Sequence, residues 1–113
     1  MISIKRVYEQ PDEDGFRILV DRLWPRGLSK ESAQIDIWLK DVAPSDVLRK
    51  WFSHDTKKWT EFKKKYRKEL DEKKDVISKL KSLEKAKEKI TLLYAAKDTE
   101  RNNAVVLQQY IQE

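Results

Sequence analysis

Apolar and polar positions divide this chain into short runs of differing period. Ile2-Ser3-Ile4-Lys5-Arg6-Val7-Tyr8 alternates, with Ile2 and Ile4 on one face and a slip before Val7, which predicts a first strand. Gln10-Pro11-Asp12-Glu13-Asp14-Gly15 is next, a loop closed by an Asp-Gly turn. Phe16 to Val20 is a second strand, and its unbroken Ile18-Leu19-Val20 run predicts burial on both faces. The link between these strands is shorter than the usual parallel crossover, so they are expected to be antiparallel neighbours.

Leu28 to Ala43 has no clear period; Asp36-Ile37-Trp38-Leu39-Lys40-Asp41 fits a short helix or an ordered loop. A helix start is expected at Pro44-Ser45-Asp46, with Ser45 as cap and Val47, Leu48, Trp51 and Phe52 as the buried face. Ser53-His54-Asp55-Thr56 interrupts the pattern, and Asp55 or Thr56 can cap the next helix. Trp59, Phe62, Tyr66 and Leu70 then recur at helical spacing. The stripe lapses at Asp71-Glu72-Lys73-Lys74 and resumes at Val76, Ile77, Leu80 and Leu83, predicting two helices or one kinked helix. Ile90 to Ala96 is a third strand, short, apolar and central, and Asn102 to Gln112 closes the chain as a helix lying on the sheet. This order predicts an α/β protein, a small single-domain layered fold spanning residues 1–113, with a short, mostly parallel sheet flanked by helices.

Composition narrows the chemistry. The chain has no cysteine and one histidine, which excludes disulfides, thiol nucleophiles, thiolate metal sites and any site built on two imidazoles. No secretory signal is read at Met1-Ile2-Ser3-Ile4-Lys5-Arg6, and no apolar run approaches the roughly 18 residues of a membrane span, so a cytoplasmic protein without a membrane partner is expected. The net charge of +5 is unevenly placed: Thr56 to Ile90 carries 14 Lys and Arg against 7 Asp and Glu, whereas the remainder carries 11 against 13. A lysine-rich helical region of this kind fits a solvated face, and it also fits a nucleic-acid surface.

The candidate chemistry gathers at two strand ends. Asp21-Arg22-Leu23-Trp24-Pro25-Arg26-Gly27 comes after the second strand and Lys97-Asp98 after the third. Parallel strands would bring both to one edge, where α/β proteins place ligand groups. Arg22 and Arg26 flank a stiff proline and suit a carboxylate or phosphate; either can equally pair with Asp21 or Asp98 and tie loops together. Trp24 can stack on a planar ligand or cover the core. His54 can move a proton near neutral pH, with Asp21 or Asp55 orienting it, or act as a plain hydrogen bonder. Lys40 and Lys97 can add positive charge, and Asp98 and Asn102 stand where a helix begins, where caps and anion sites coincide. The chain has no phosphate-cradling glycine loop, no nucleophile elbow, no zinc spacing and no calcium loop, and no cofactor is implied.

Asp21 to Gly27, Trp38-Leu39-Lys40, Ala43-Pro44-Ser45, Trp51-Phe52-Ser53-His54-Asp55, Tyr66 with Glu69-Leu70, and Thr91 to Asp98 with Asn102 to Leu107 occur in an order that covers nearly the whole chain. In these motifs the chain resembles the YeaO-like family of bacterial and archaeal proteins, a domain of unknown function. The resemblance implies a compact α/β domain and makes the motif positions the best candidates for a shared site; it brings no substrate and no catalytic residues.

The expectation is therefore a cytoplasmic protein binding a small anionic ligand, phosphate- or nucleotide-like, at an edge formed by Asp21, Arg22, Trp24, Arg26, Lys40, His54, Lys97, Asp98 and Asn102. Were it an enzyme, His54 would shuttle the proton, Asp21 would be its partner or the base, and the arginines would stabilise negative charge. The alternatives are a nucleic-acid-binding or regulatory protein using residues 56–89, and a non-catalytic interaction module.

Overall fold

A computed structural model describes all 113 residues. Four strands, β1 (Ile2–Arg6), β2 (Phe16–Leu19), β3 (Ile37–Trp38) and β4 (Ile90–Tyr94), form one sheet in the order β1-β4-β2-β3, and every pair is parallel. Five α-helices complete the fold: α1 (Lys30–Ala33), α2 (Asp46–Phe52), α3 (Trp59–Asp71), α4 (Lys74–Lys87) and α5 (Asn103–Gln112). Single 3-10 turns lie at Lys40–Val42 and Thr56–Lys58. None of the helices is long and apolar enough to cross a membrane.

The sheet is covered unequally. Ile18, Val20, Leu92 and Tyr94 face a large core built with Leu48, Phe52, Phe62, Tyr66, Leu70, Leu80 and Leu107 of α2 to α5. Leu19 and Leu93 point the other way and meet only Val7, Ala33 and Ile35, with Trp24 and Leu28 packed against them. Strand residues alternate between faces, so the continuous apolar runs of β2 and β4 reflect burial on both sides. All five residues of β4 are buried, as expected of a central strand.

The expected antiparallel pairing of β1 and β2 is wrong: β4 lies between them and both run parallel to it. The nine residues between β1 and β2 need no helix to return. Extended chain covers about 3.3 Å per residue, so nine residues reach nearly twice the length of a five-residue strand. The return is pinned by Lys5, whose ammonium donates to Gln10 O at 2.7 Å and to Asp14 Oδ1 at 3.1 Å. Gly15 completes it at φ 67°, where a Cβ would sit 2.4 Å from Lys89 O, so only glycine fits.

The stretch expected as a short helix or ordered loop holds the edge strand β3, with a 3-10 turn after it. Ile18 and Leu19 pair with Ile37 and Trp38, and Asp36 anchors the approach by accepting Arg17 N–H at 2.8 Å. Two paired residues are too few to leave a periodic signal. Ser45 caps α2 by accepting Leu48 N–H, as expected, but Val47 is 81% exposed and does not belong to the buried face. Leu48 and Phe52, four residues apart, supply that face on a helix of only seven residues. The lapse at residues 71–74 separates two helices, and Lys73, half-buried at the break, donates to Ala43 O at 3.0 Å.

Candidate functional site

The exits of the two inner strands diverge. β2 leads through Asp21 to Ser29 into α1 on the thinly covered face, whereas β4 leads through Ala95 to Asn102 into α5 on the helix-rich face. Adjacent parallel strands whose connections part to opposite faces leave a crevice beyond their carboxyl ends. A cleft of about 490 Å³ occupies that place, lined from β2's exit, from β4's exit and from the end of α2.

Asp21 ties the two exits together. Its Oδ2 accepts Ala95 N–H at 2.9 Å, and its Oδ1 accepts the Asn103 amide at 3.1 Å. The Asn103 amide also donates to Val20 O at 3.0 Å, which fixes its orientation. Burial pushes the Asp21 carboxyl above the usual carboxylate range; these two hydrogen bonds and the charge of nearby His54 oppose the rise without cancelling it. Arg22 donates from Nε to Pro44 O at 2.9 Å and from Nη2 to Ala43 O at 3.1 Å, so its fork ties the exit loop to the start of α2. Trp24 donates to Leu28 O at 2.6 Å and meets Trp38 edge-on with centroids 5.4 Å apart, which makes it a wall rather than a free stacking platform. Arg26 is exposed; its carbonyl accepts the Tyr8 hydroxyl at 2.9 Å, and its guanidinium is free of ion pairs and hydrogen bonds.

On the opposite wall α2 ends in two consecutive left-handed residues, Ser53 at φ 43° and His54 at φ 58°. Neither is glycine, and backbone of this kind costs about 1–3 kcal/mol per residue unless the surroundings impose it. The turn places the exposed imidazole of His54 at the cleft, with its ring 6.4 Å from that of Phe52. At the third wall Asn102 caps α5, accepting Val105 N–H at 3.1 Å and donating to Asp98 O at 2.9 Å. Asp98 accepts Glu100 N–H at 2.9 Å and Arg101 N–H at 3.0 Å, and these backbone bonds hold its carboxyl below the usual range.

Six of the nine sequence candidates therefore line one cleft: Asp21, Arg22, Trp24, Arg26, His54 and Asn102. Lys97 and Asp98 line an adjoining, more open hollow that shares His54 with the cleft. Lys40 lies outside both, its ammonium 5.3 Å from the Trp38 ring centroid. Sequence reasoning missed Tyr8, Arg49, Lys50, Arg101 and Asn103, which also line the cleft. Arg49 and Lys50 read as the polar face of an amphipathic helix. Their position one helical turn before Ser53-His54 was the one signal that could have found them.

Five cations (Arg22, Arg26, Arg49, Lys50 and Arg101) and His54 thus face one acid, Asp21. Arg49 bonds Asp46 at 3.2 Å through Nη2, but its Nε is shut away from solvent without an acceptor. An unmet buried donor of a charged group costs more than about 1–3 kcal/mol and favours any acceptor that can reach it.

A family model described as the inactive DUF488-N3 subclade matches residues 1–113. The uncharacterized protein YeaO of Escherichia coli (strain K12) is 41% identical over 111 residues, covering 97% of this chain and 96% of its own length. The uncharacterized protein Rv3073c of Mycobacterium tuberculosis (strain H37Rv) is 38% identical over 111 residues, covering 97% of this chain and 92% of its own. No solved structure matches the chain.

Proposed function

This chain belongs to the inactive DUF488-N3 subclade, and on that footing we propose that it binds a small phosphate- or nucleotide-like anion in the cleft and releases it unchanged. The observation that carries this reading is the charge of the walls: Arg26 and Lys50 reach the cleft with no protein partner, and its one carboxylate, Asp21, is already answered by Ala95 and Asn103, while Arg49 and Arg101 pair with Asp46 and Asp98 outside the lining. A cleft focuses the field of unpaired cations on its walls and so draws an anion more strongly than a flat surface does. The place is the crevice where open parallel sheets receive ligands, and the volume of about 490 Å³ lies in the range of small-molecule sites.

Within this reading the residues divide their work. Arg22 and Asp21 hold the walls in register through backbone partners, and Arg26 and Lys50, free of protein partners, meet the anion. His54 donates a hydrogen bond to it rather than shuttling a proton, which agrees with the subclade's description as inactive.

Thermal-shift screening of inorganic phosphate, nucleoside monophosphates and sugar phosphates identifies the ligand, since binding raises the melting temperature. Arg26→Ala then weakens binding about 10- to 100-fold, the loss of one charge-assisted bond, and Arg26→Lys recovers part because the charge stays and the fork is lost. Phosphorus NMR of the bound ester shows no new species over time. Equal affinity for wild type and both variants contradicts the assignment, and steady turnover contradicts the non-catalytic role.

A further inference from the structure

The cleft opens beside the most positive part of the chain. Residues 49–68 carry nine Lys and Arg against two acids, Asp55 and Glu61. They form the end of α2, the turn at Thr56–Lys58 and most of α3. Lysines on a helix surface gain from acids one helical turn away. None of the seven lysines in this stretch is in an ion pair.

This basic surface is continuous with the cleft. Arg49 and Lys50 line the cleft itself. The next residue, Trp51, is covered by two ammonium groups: Lys58 at 5.1 Å and Lys65 at 4.2 Å from the ring centroid. Lys58 is held there by the Trp51 carbonyl at 2.9 Å. Neither ammonium is answered by a carboxylate, so a phosphate that reaches this ring meets uncompensated charge. The chain thus presents unpaired cations both in the cleft, at Arg26 and Lys50, and along α3.

Resting on the reading of the cleft as an anion site, we infer that its occupant is the phosphorylated end of a single nucleic-acid strand. The terminal nucleotide enters the cleft and the next phosphates pass from Lys50 to Lys58 and Lys65. A cleft of about 490 Å³ has room for one nucleotide, and the terminal nucleotide of a duplex would have to unpair to enter it, which selects a single strand over a duplex. A terminal phosphate carries a second negative charge that internal phosphodiesters lack, and a wall with two unpaired cations discriminates on that charge. Stacking contributes little: Phe62 and Tyr66 are buried, and the half-buried Trp51 ring already has Lys58 and Lys65 against it. Affinity along the strand is therefore electrostatic and falls with salt.

Fluorescence anisotropy of the full chain with short single strands, dye-labelled at one end and bearing either phosphate or hydroxyl at the other, tests this directly. The expected result is about tenfold tighter binding of a strand phosphorylated at its 5′ or its 3′ end than of its hydroxyl counterpart, with a blunt duplex weaker than both. Arg26→Ala removes the preference for phosphate. Lys58→Glu with Lys65→Glu weakens the strand and flattens the log–log salt slope by about 0.7 for each phosphate no longer neutralised, while a free nucleoside monophosphate binds as before. Lys57→Glu with Lys64→Glu makes the same charge change off this path, on exposed residues that do not touch Trp51, and weakens the strand less; an equal loss at both pairs overturns the path. If a free monophosphate binds and no strand binds more tightly, the strand proposal fails and the cleft reading stands. If strands bind regardless of their ends, or heparin displaces them at equal charge, the positive surface is a plain polyanion site and end recognition is overturned. If monophosphates and phosphorylated strands both fail to bind, both readings fall.

Discussion

Two carboxylates bracket β2, and the surroundings shift them in opposite directions. Asp14 precedes the strand and is desolvated by burial, which alone would raise its pKa; the Asp12 N–H, Lys5 and Arg17 more than offset this and hold it below the usual carboxylate value. Asp21 lies just beyond the strand, and there burial prevails and raises it. A depressed carboxyl adds stability that is present above its unfolded pKa of about 3.9 and is lost as pH falls through the lower folded value. A raised one adds stability below its unfolded pKa and loses it as pH rises through the folded value. Asp14→Asn leaves Lys5 and Arg17 without a counter-charge, and Arg17 is only 4% exposed, so the variant loses about 3–5 kcal/mol in urea unfolding. Its stability also depends less steeply on pH below about 4 than that of the wild type. A variant with unchanged stability and an unchanged acid limb contradicts this assignment. At Ser53 the left-handed backbone is the issue. Ser53→Gly removes a Cβ that φ 43° disfavours and raises stability by about 0.5–1 kcal/mol, after the extra freedom glycine gives the unfolded chain is deducted. A loss of stability there would show that the serine side chain itself is needed.

Elements with a long apolar stripe were legible and elements defined by a few pairings were not. Trp59, Phe62, Tyr66 and Leu70 announced α3, and Ser45 its predecessor's cap, because local spacing and a single side-chain hydrogen bond suffice. β3 has two residues and exists through its partners on β2 and the Asp36 contact, none of which is local in sequence. The pairing of β1 with β4 joins Ile2 to Ile90, and a chain read locally offers no sign of it. Helix α3 also shapes the cleft indirectly. Tyr66 donates to Val42 O at 2.7 Å, Lys73 and Arg22 donate to Ala43 O, and Glu69 accepts the Ser45 N–H at 2.8 Å and its hydroxyl at 2.6 Å. Residues 42–45 are thereby clamped from α3, from the break after it and from the loop after β2. Tyr66→Phe leaves the Val42 carbonyl buried without a donor and costs about 1–3 kcal/mol, measurable in the same urea titration. A neutral Tyr66→Phe would mean that the segment is held by packing alone.

On the scale of the whole molecule, the parallel sheet sets the site. With order β1-β4-β2-β3, the exits of β2 and β4 are neighbours and part to opposite faces, so the segments Asp21–Gly27 and Ala95–Asn102 meet although some 70 residues separate them. The abrupt change from apolar strand to charge, indole and proline after Val20 made the first wall readable, and the parallel relation of the strands made the second. Lys40 fell outside because β3 is the edge strand, whose exit lies beyond Trp38 and away from the crevice. Arg49 and Lys50 were hidden because their role depends on how α2 docks, which only the packed core determines. Charge distribution obeys the same logic: the lysines of residues 49–68 read as solvation from the sequence, and only the structure shows that none of them is in an ion pair and that Lys50 lines the cleft.

The central claim is that the cleft beyond β2 and β4 holds a phosphate-bearing anion. Its most direct test is a proton–nitrogen correlation NMR titration of the full chain with a nucleoside monophosphate. Binding in the cleft moves the backbone amides of Arg22 to Trp24, Arg26-Gly27, Ser53-His54 and Ala95 to Asn103 together along one saturable curve, and leaves α4 and the open edge of β1 still. Movement spread evenly over the lysines of α3 and α4, or no movement at the cleft when the ligand is in large excess, contradicts it.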